Sequence, residues 1–437
     1  MSRFFSALLL PGVLVIAACR TASHSTPDTL PAMNRAAEQY VKLVLAMGEH
    51  DPDYVDAFYG PPEWRTEVKK EAVSLDDIRS RAGKLTEDLR ALKPAGDDRI
   101  VELRHDYLLR QTEALLARAR YLGGTKMTFD EESKALYDAV APQRSEAGFE
   151  KVLAEIDREL PGTGPLVDRL DAFRKDFIIP KEKLDEVFRA AIAGCRARTL
   201  RHMELPAGES FTIEYVTNKS WSGYNWYQGN FKSLIQVNTD LPIYIDRAVD
   251  LACHEGYPGH HVYNVLLEKH LVKDRGWVEF SVYPLFSPQS LIAEGSANYG
   301  IDVAFPQSER IEFETKVLFP MAGLDPSRVK GYYRIQELVS KLNYAGNQAA
   351  RRYLDGQISS VQAAEYLVKY GLYSPERAKQ RIRFTDQYRS YVINYNLGKD
   401  IVREYVESKA GNDPKKRWDL FREILSTPTL PSRLVTR

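Results

Sequence analysis

The chain has 437 residues, of which 44% are hydrophobic and 27% charged, a make-up that excludes a disordered or fibrous protein. Its 60 Lys and Arg are matched by 60 Asp and Glu. The overall charge therefore supplies none of the non-specific attraction to nucleic-acid phosphates or anionic lipid that a basic excess provides. This length suits two or three domains, or one large two-lobed body.

Residues 1–18 read as an export signal. Arg3 is followed by an apolar run, Phe4 to Ala18, that is too short to span a bilayer comfortably. The run ends Ile16-Ala17-Ala18-Cys19, an apolar residue and two small ones before a cysteine. That pattern resembles the lipobox of bacterial lipoproteins, in which the Cys is lipid-modified after cleavage. Residues 19–32 then form a lipidated Cys19 and a polar tether. The mature protein is expected to be exported and membrane-anchored, facing the periplasm, and to touch the membrane only through the lipid.

Residues 33–205 read as a helical region. Ser74 followed by Asp77 resembles a capping box, opening a helix that runs toward Leu92. Apolar residues at helical spacing (Leu103, Leu108, Leu109, Leu115, Leu116) predict a helix from Asp97 to Leu122, stopped by Gly123-Gly124. Pro161-Gly162 and Pro180 punctuate further helices, and Lys181 to Arg201 is another. Cys195 and Cys253 are expected as small buried residues; an exported protein allows a bridge between them, but the sequence does not indicate one.

The character changes after residue 206. Phe211–Val216 and Phe231–Asn238 alternate and are β-rich. Between them Trp221 to Asn230 is an aromatic, glycine-rich loop. It reads equally as a hairpin packed on a core and as an edge strand and loop lining a cleft. After Pro242 the pattern returns to helix as far as about His270. A further helix starts near Ser290, and helices continue to about Leu425.

Three of the eight histidines fall within His254-Glu255-Gly256-Tyr257-Pro258-Gly259-His260-His261. The usual zinc helix places two His four residues apart, with a Glu beside the first to polarise the metal-bound water. Here the fourth position is Pro258. In a regular helix His260 lies about 240° around from His254, and His261 returns to the right face but about 10.5 Å along the axis. Pro258 and Gly259 are the residues that a widened turn needs. Looping out two residues brings in His260 and looping out three brings in His261, so His260 is the expected second ligand and His261 the alternative. Cys253 points about 100° away from His254 and is rejected as a co-ligand.

The third ligand is expected from Ala293-Glu294-Gly295-Ser296-Ala297-Asn298-Tyr299. The small residues after Glu294 would let this helix approach the first, and Asn298 is placed to hydrogen-bond the far nitrogen of a ligand His. Three protein ligands leave a catalytic position open on a single zinc ion, with Glu255 as general base.

With these residues in view, the chain resembles the bacterial family catalogued as domain of unknown function 885, whose pattern is His-Glu, two residues, then Pro-Gly-His-His. It is similar in logic to the Glu-zincin metallopeptidases. The family's Glu-Gly-Trp-Ala appears as Glu294-Gly295-Ser296-Ala297, with Ser296 in place of Trp, and its late Tyr-x-x-Gly-basic pattern as Tyr395-Asn396-Leu397-Gly398-Lys399. The Pro-Gly-Gln that precedes the latter in many members is replaced by Thr385-Asp386-Gln387. The resemblance implies a mainly α fold with a small β-sheet, two-lobed, with active-site helices in a central cleft. Residues 206–437 would form the catalytic region, and Tyr395 would donate to the oxyanion.

The expected function is zinc-dependent peptide hydrolysis, by an exopeptidase or oligopeptidase with carboxypeptidase slightly favoured. Strand Lys232–Asn238 could pair with an extended substrate, and Arg381, Arg383 or Arg389 could receive a terminal carboxylate, although each of the three reads first as a solvated helix-face arginine. The alternatives are a non-catalytic envelope lipoprotein with a peptidase-like fold, or a hydrolase of another amide or ester.

Overall fold

The computed structural model describes residues 29–94, 98–219 and 221–435. The lipobox and Cys19 lie outside the described residues. Helix begins at Thr29 rather than Met33, so the last four residues assigned to the tether belong to the helix Thr29–His50. Its inner face buries Tyr40, Val44 and Met47.

The described residues are mainly α-helical and include two small sheets. Local chemistry sets many of the helix ends. The Ser74 hydroxyl accepts from the Asp77 N–H and opens Leu75–Ala91. Asp98 caps Arg99–Leu122, which stops at Gly123 and buries Leu108 and Leu115 completely. Such caps satisfy backbone donors that a helix start leaves unpaired.

One large hydrophobic core draws on both halves of the chain, from Tyr40, Leu108 and Leu115 to Val249, Leu291 and Val402. Inside it the Arg104 guanidinium donates to both carboxylate oxygens of Glu279, at 2.6 and 3.0 Å, and stacks on Trp277. Both charged groups are sealed from solvent, which a protein tolerates only when each is fully paired. A smaller core gathers Phe149, Ile156 and Leu170 with Ile335, Leu367 and Ile382.

Strands β1 (Val55–Phe58) and β5 (Val282–Pro284) form an antiparallel pair. Strands β2 (Ser210–Val216), β3 (Gly223–Gly229) and β4 (Lys232–Asn238) form a second sheet in the order β2-β4-β3. The aromatic stretch between the two predicted strands is thus itself an edge strand. Its inward positions Asn225 and Tyr227 are buried while Trp226 is 41% exposed, the alternation of a half-buried strand. β4 is central, parallel to β2 and antiparallel to β3. Its backbone groups are committed on both sides, so the expectation that Lys232–Asn238 pairs with a substrate is overturned.

The expected continuous helix from Pro242 to His270 is also broken. Asp246–Leu251 runs into one π-helical turn, Ala252–Gly256, then Tyr257 turns extended before a cis bond to Pro258, and His260–Leu267 starts a new helix. Proline cannot continue the hydrogen-bond ladder, and the chain resolves this by leaving the helix. Cys195 and Cys253 are buried, but as a disulfide with Cα atoms 5.7 Å apart, which corrects the reading of two free thiols. The bridge ties the helix Leu184–Thr199 to the residue before His254.

Candidate metal centre

The break in the helix builds the site. Gly259 donates to the Cys253 carbonyl, and a Cβ on Gly259 would lie 1.9 Å from the His254 oxygen. Only glycine permits this close return of the chain. The return brings the rings of His254 and His260 to 4.7 Å, perpendicular to each other. A widened turn is present, but at Ala252–Gly256, before the Pro258-Gly259 pair where it was expected, and the second imidazole arrives from the first turn of a new helix.

Glu294 comes from the helix Pro288–Ala304. Its Oε2 lies 3.3 Å from His254 Nε2 and 3.9 Å from His260 Nε2. This buried oxygen has no hydrogen-bonding partner beyond those imidazoles among the described residues, whereas Oε1 accepts a hydrogen bond from the Tyr391 hydroxyl at 2.8 Å. One ligand atom each from His254, Glu255 and His260 also lies within 4.8 Å of the others. Two donors at zinc distances and a tetrahedral angle stand about 3.3 Å apart, close to the shorter of the two separations. The residues present fit a zinc ion: two imidazoles, and a buried carboxylate oxygen aimed between them with no other partner.

Electrostatics separate the two carboxylates. Burial raises Glu294, but His254, His260 and the Tyr391 hydroxyl prevail and hold it below the usual carboxylate range. Burial, reinforced by Glu294 and opposed by His254, carries Glu255 up to about 7. The two carboxylates thus differ in acidity, Glu294 held ionised and Glu255 titrating near neutrality. Burial pulls the His254 imidazole down, yet Glu255 and Glu294 outweigh it and leave it raised. Burial and the neighbouring His254 push His260 down to about 4.

His261 points elsewhere. It is fully buried, with Nδ1 2.8 Å from the Ser233 hydroxyl and Nε2 2.9 Å from Glu209 Oε2. Glu209 also accepts from the Tyr257 hydroxyl at 2.6 Å and from Arg196 at 2.6 Å. The alternative second ligand is thus an anchor that locks the Pro258 turn to β4. Asn298 is likewise corrected: its amide donates to the Glu294 carbonyl of its own helix rather than to a ligand His. Tyr391 does the orienting, and sequence reasoning missed it. Its signal was helical spacing, since Tyr388, Tyr391 and Tyr395 recur at three and four residues.

The small residues after Glu294 do allow a close approach, but to a different helix. A Cβ on Gly295 would lie 2.4 Å from the Gly398 backbone, in Ile393–Ala410. This crossing sets Tyr391 and Tyr395 beside Glu294. Gly300 performs the role expected of Gly295, since a Cβ there would press on Pro258 at 3.2 Å. Tyr395 is half-buried with its ring 5.7 Å from that of Tyr391, and among the described residues no hydrogen bond engages its hydroxyl.

The edge strand β3 closes one side. Asn225 donates to the Glu255 carbonyl at 2.7 Å, and a Cβ on Gly223 would come within 3.0 Å of Glu255 Oε1. Asp56 of β1, also missed, accepts a short hydrogen bond from the Tyr224 hydroxyl. Burial, and then the charges of Glu294 and Glu255, push its carboxyl up to about 8. Of the three candidate arginines, Arg389 is engaged by Glu132 at 2.6 Å and Arg383 is exposed. Arg381 stacks over Phe384 and Tyr395 without a carboxylate partner among the described residues.

No family model and no curated protein matches the chain. A solved structure described as "the putative lipoprotein from Colwellia psychrerythraea" is similar in fold, with a TM-score of 0.51 and 14% sequence identity, over 83% of this chain and 68% of that one. Among the described residues, no helix is long and apolar enough to cross a membrane.

Proposed function

We propose that the chain is a zinc-dependent hydrolase acting on peptide bonds, of the kind its resemblance to the domain of unknown function 885 family and the Glu-zincins implies. In this reading the His254 and Glu294 segments meet in the central cleft of a two-lobed body. The observation that carries it is the Glu294 carboxylate, with Oε1 held by Tyr391 and Oε2 buried with no partner beyond two imidazole nitrogens among the described residues.

His254, His260 and Glu294 would hold the ion. Bound there, zinc would supply Lewis-acid activation of water and of an amide carbonyl. Glu255, raised to about 7, takes a proton from the attacking water and returns it to the leaving amine. The Tyr395 hydroxyl, which no hydrogen bond engages among the described residues, would donate to the oxyanion, and Tyr391 keeps Glu294 ionised and oriented. Asn225 fixes the backbone of Glu255 so that its carboxylate keeps one position. Arg381 is the candidate left for a terminal carboxylate. We also propose that the protein is an exported lipoprotein anchored through Cys19, as the description of its structural neighbour suggests.

The test is zinc analysis and peptide-library cleavage of wild type and Glu255→Gln. The expected result is one zinc per chain in both and a cleavage rate at least about 100-fold lower in the variant. No zinc in the wild type after equilibration overturns the site. Bound zinc with no hydrolysis of any peptide, amide or ester favours the second reading, a non-catalytic envelope lipoprotein.

A further inference from the structure

Glu132 is a buried carboxylate that the proposed chemistry leaves unused. It is 1% exposed and stands on the helix Phe129–Tyr137, in the N-terminal helical region. That helix is pinned at its start, where the Phe129 N–H donates to Asp355 at 2.7 Å and Arg351 donates to Asp130 at 2.9 Å. Glu132 accepts three hydrogen bonds from two consecutive residues. Its Oε2 takes the Arg389 Nε–H at 2.6 Å, and its Oε1 takes the Ser390 N–H at 3.1 Å and the Ser390 hydroxyl at 2.5 Å. Ser390 is fully buried.

The chain at Arg389 is strained. The helix Pro375–Tyr388 ends on it with φ 52° and ψ −123°. A side chain rarely tolerates that combination, which belongs to the glycine position of a tight turn. Arginine stands there instead, and its guanidinium, 4.8 Å from the Tyr121 ring centroid, is one of the donors to Glu132. Strain of this kind persists where the surroundings over-determine it, and it gathers at functional sites. Arg389 opens the single turn Arg389–Val392, which leads into the helix Ile393–Ala410 and contains Tyr391. The Tyr391 hydroxyl holds Glu294 Oε1 at 2.8 Å. Its ring meets Tyr137 edge-on, with centroids 6.0 Å apart, and Tyr137 lies on the same helix as Glu132. One helix therefore fixes both the backbone that enters the turn and one side of the phenol ring.

We infer that Glu132 is a positioning residue for the metal centre: by clasping Arg389 and Ser390 it holds a strained turn closed, and that turn aims the Tyr391 hydroxyl at Glu294 so that the second carboxylate oxygen stays available to the ion. This rests on the metal reading of Glu294, and it gives the N-terminal helical region a part in the site. Without the clasp the turn relaxes toward an ordinary negative φ and swings the phenol off Glu294.

The test has a zinc-free arm and a zinc arm, both on the whole chain. The first compares crystal structures of zinc-free wild type and Glu132→Gln, a change that keeps the size of the side chain but leaves only one accepting oxygen. In the variant Arg389 is expected to adopt a negative φ and the Tyr391 hydroxyl to leave hydrogen-bond reach of Glu294. The second arm measures zinc affinity by competition with a chelator for Glu132→Gln, Tyr391→Phe and the double variant. Glu132→Gln is expected to weaken binding about tenfold. With Tyr391 already Phe the same change should shift it by less than about twofold, because both act through one hydroxyl. A role confined to stability gives an equal loss in both backgrounds. That result overturns the inference, as does an unchanged affinity or a Glu132→Gln structure with Tyr391 still on Glu294. Ser390→Ala removes one donor, and about fivefold weakening is expected, again only while Tyr391 keeps its hydroxyl. This second variant decides the matter if Glu132→Gln does not fold. A wild type that binds no zinc, with the Tyr391 hydroxyl still released in the zinc-free variant, overturns the metal reading alone.

Discussion

At the scale of single residues, the site rests on what each polar atom has for a partner. Tyr391 holds one oxygen of Glu294 and leaves the other for the imidazoles. Removing that hydroxyl frees the carboxylate to rotate. Tyr391→Phe is expected to weaken zinc affinity about 10- to 100-fold, as loss of a partner to a ligand does. Competition with a chelator measures it, and an unchanged affinity would show that packing alone orients Glu294. His254, Glu255, His260 and Glu294 were legible from spacing and ligand chemistry. Tyr391 was hidden by its ordinary appearance among many tyrosines. Asp56 was hidden because no local pattern links β1 to a motif so far along the chain; only the antiparallel pairing with β5 delivers it.

At the scale of elements, the proline that seems to spoil the zinc signature exchanges one long helix for two short ones. The sequence carried the cue for distortion, a proline followed by glycine, but did not carry its extent. A widened turn and a full break begin with the same residues, and tertiary anchors choose between them. Here the anchors are the Cys195–Cys253 bridge and the buried His261–Glu209–Tyr257 cluster. The glycine pair Gly295 and Gly398 is the other element-scale device, placing two helix backbones in contact beneath the ligand carboxylate. Gly295→Ala pushes a methyl to within 2.4 Å of backbone. It is expected to cost about 1–3 kcal/mol, as overpacking does, and to weaken zinc binding together with stability. Denaturant unfolding with and without zinc checks both. A stable variant that binds zinc normally would mean the helices separate freely.

At the scale of the whole molecule, the mainly α architecture with a small sheet was readable from periodicity, and one helix start, at Ser74, from its cap. Strand order was not, because alternation marks a strand without saying which neighbours it takes, and so β4 looked available when it is central. Global stability depends on charges buried far from solvent, and Glu209 gives this a pH signature. Burial alone would raise its carboxyl, but hydrogen bonds from His261, Tyr257 and Arg196 lower it to about 2. A folded-state value below the ordinary 4.5 stabilises the protein fully above that value, and the contribution disappears as the pH falls toward about 2. The stability gap between wild type and Glu209→Gln should therefore narrow steadily on acidification, as followed by denaturant melts. A gap independent of pH would contradict the assignment. The central claim, that one zinc ion is held by His254, His260 and Glu294, is tested most directly by anomalous scattering at the zinc edge from crystals of the zinc-equilibrated protein. The account predicts a single peak within about 2.0–2.2 Å of both imidazoles and of Glu294 Oε2, with His261 still on Glu209. A peak bound by His261, or one that leaves Glu294 unliganded, would contradict it.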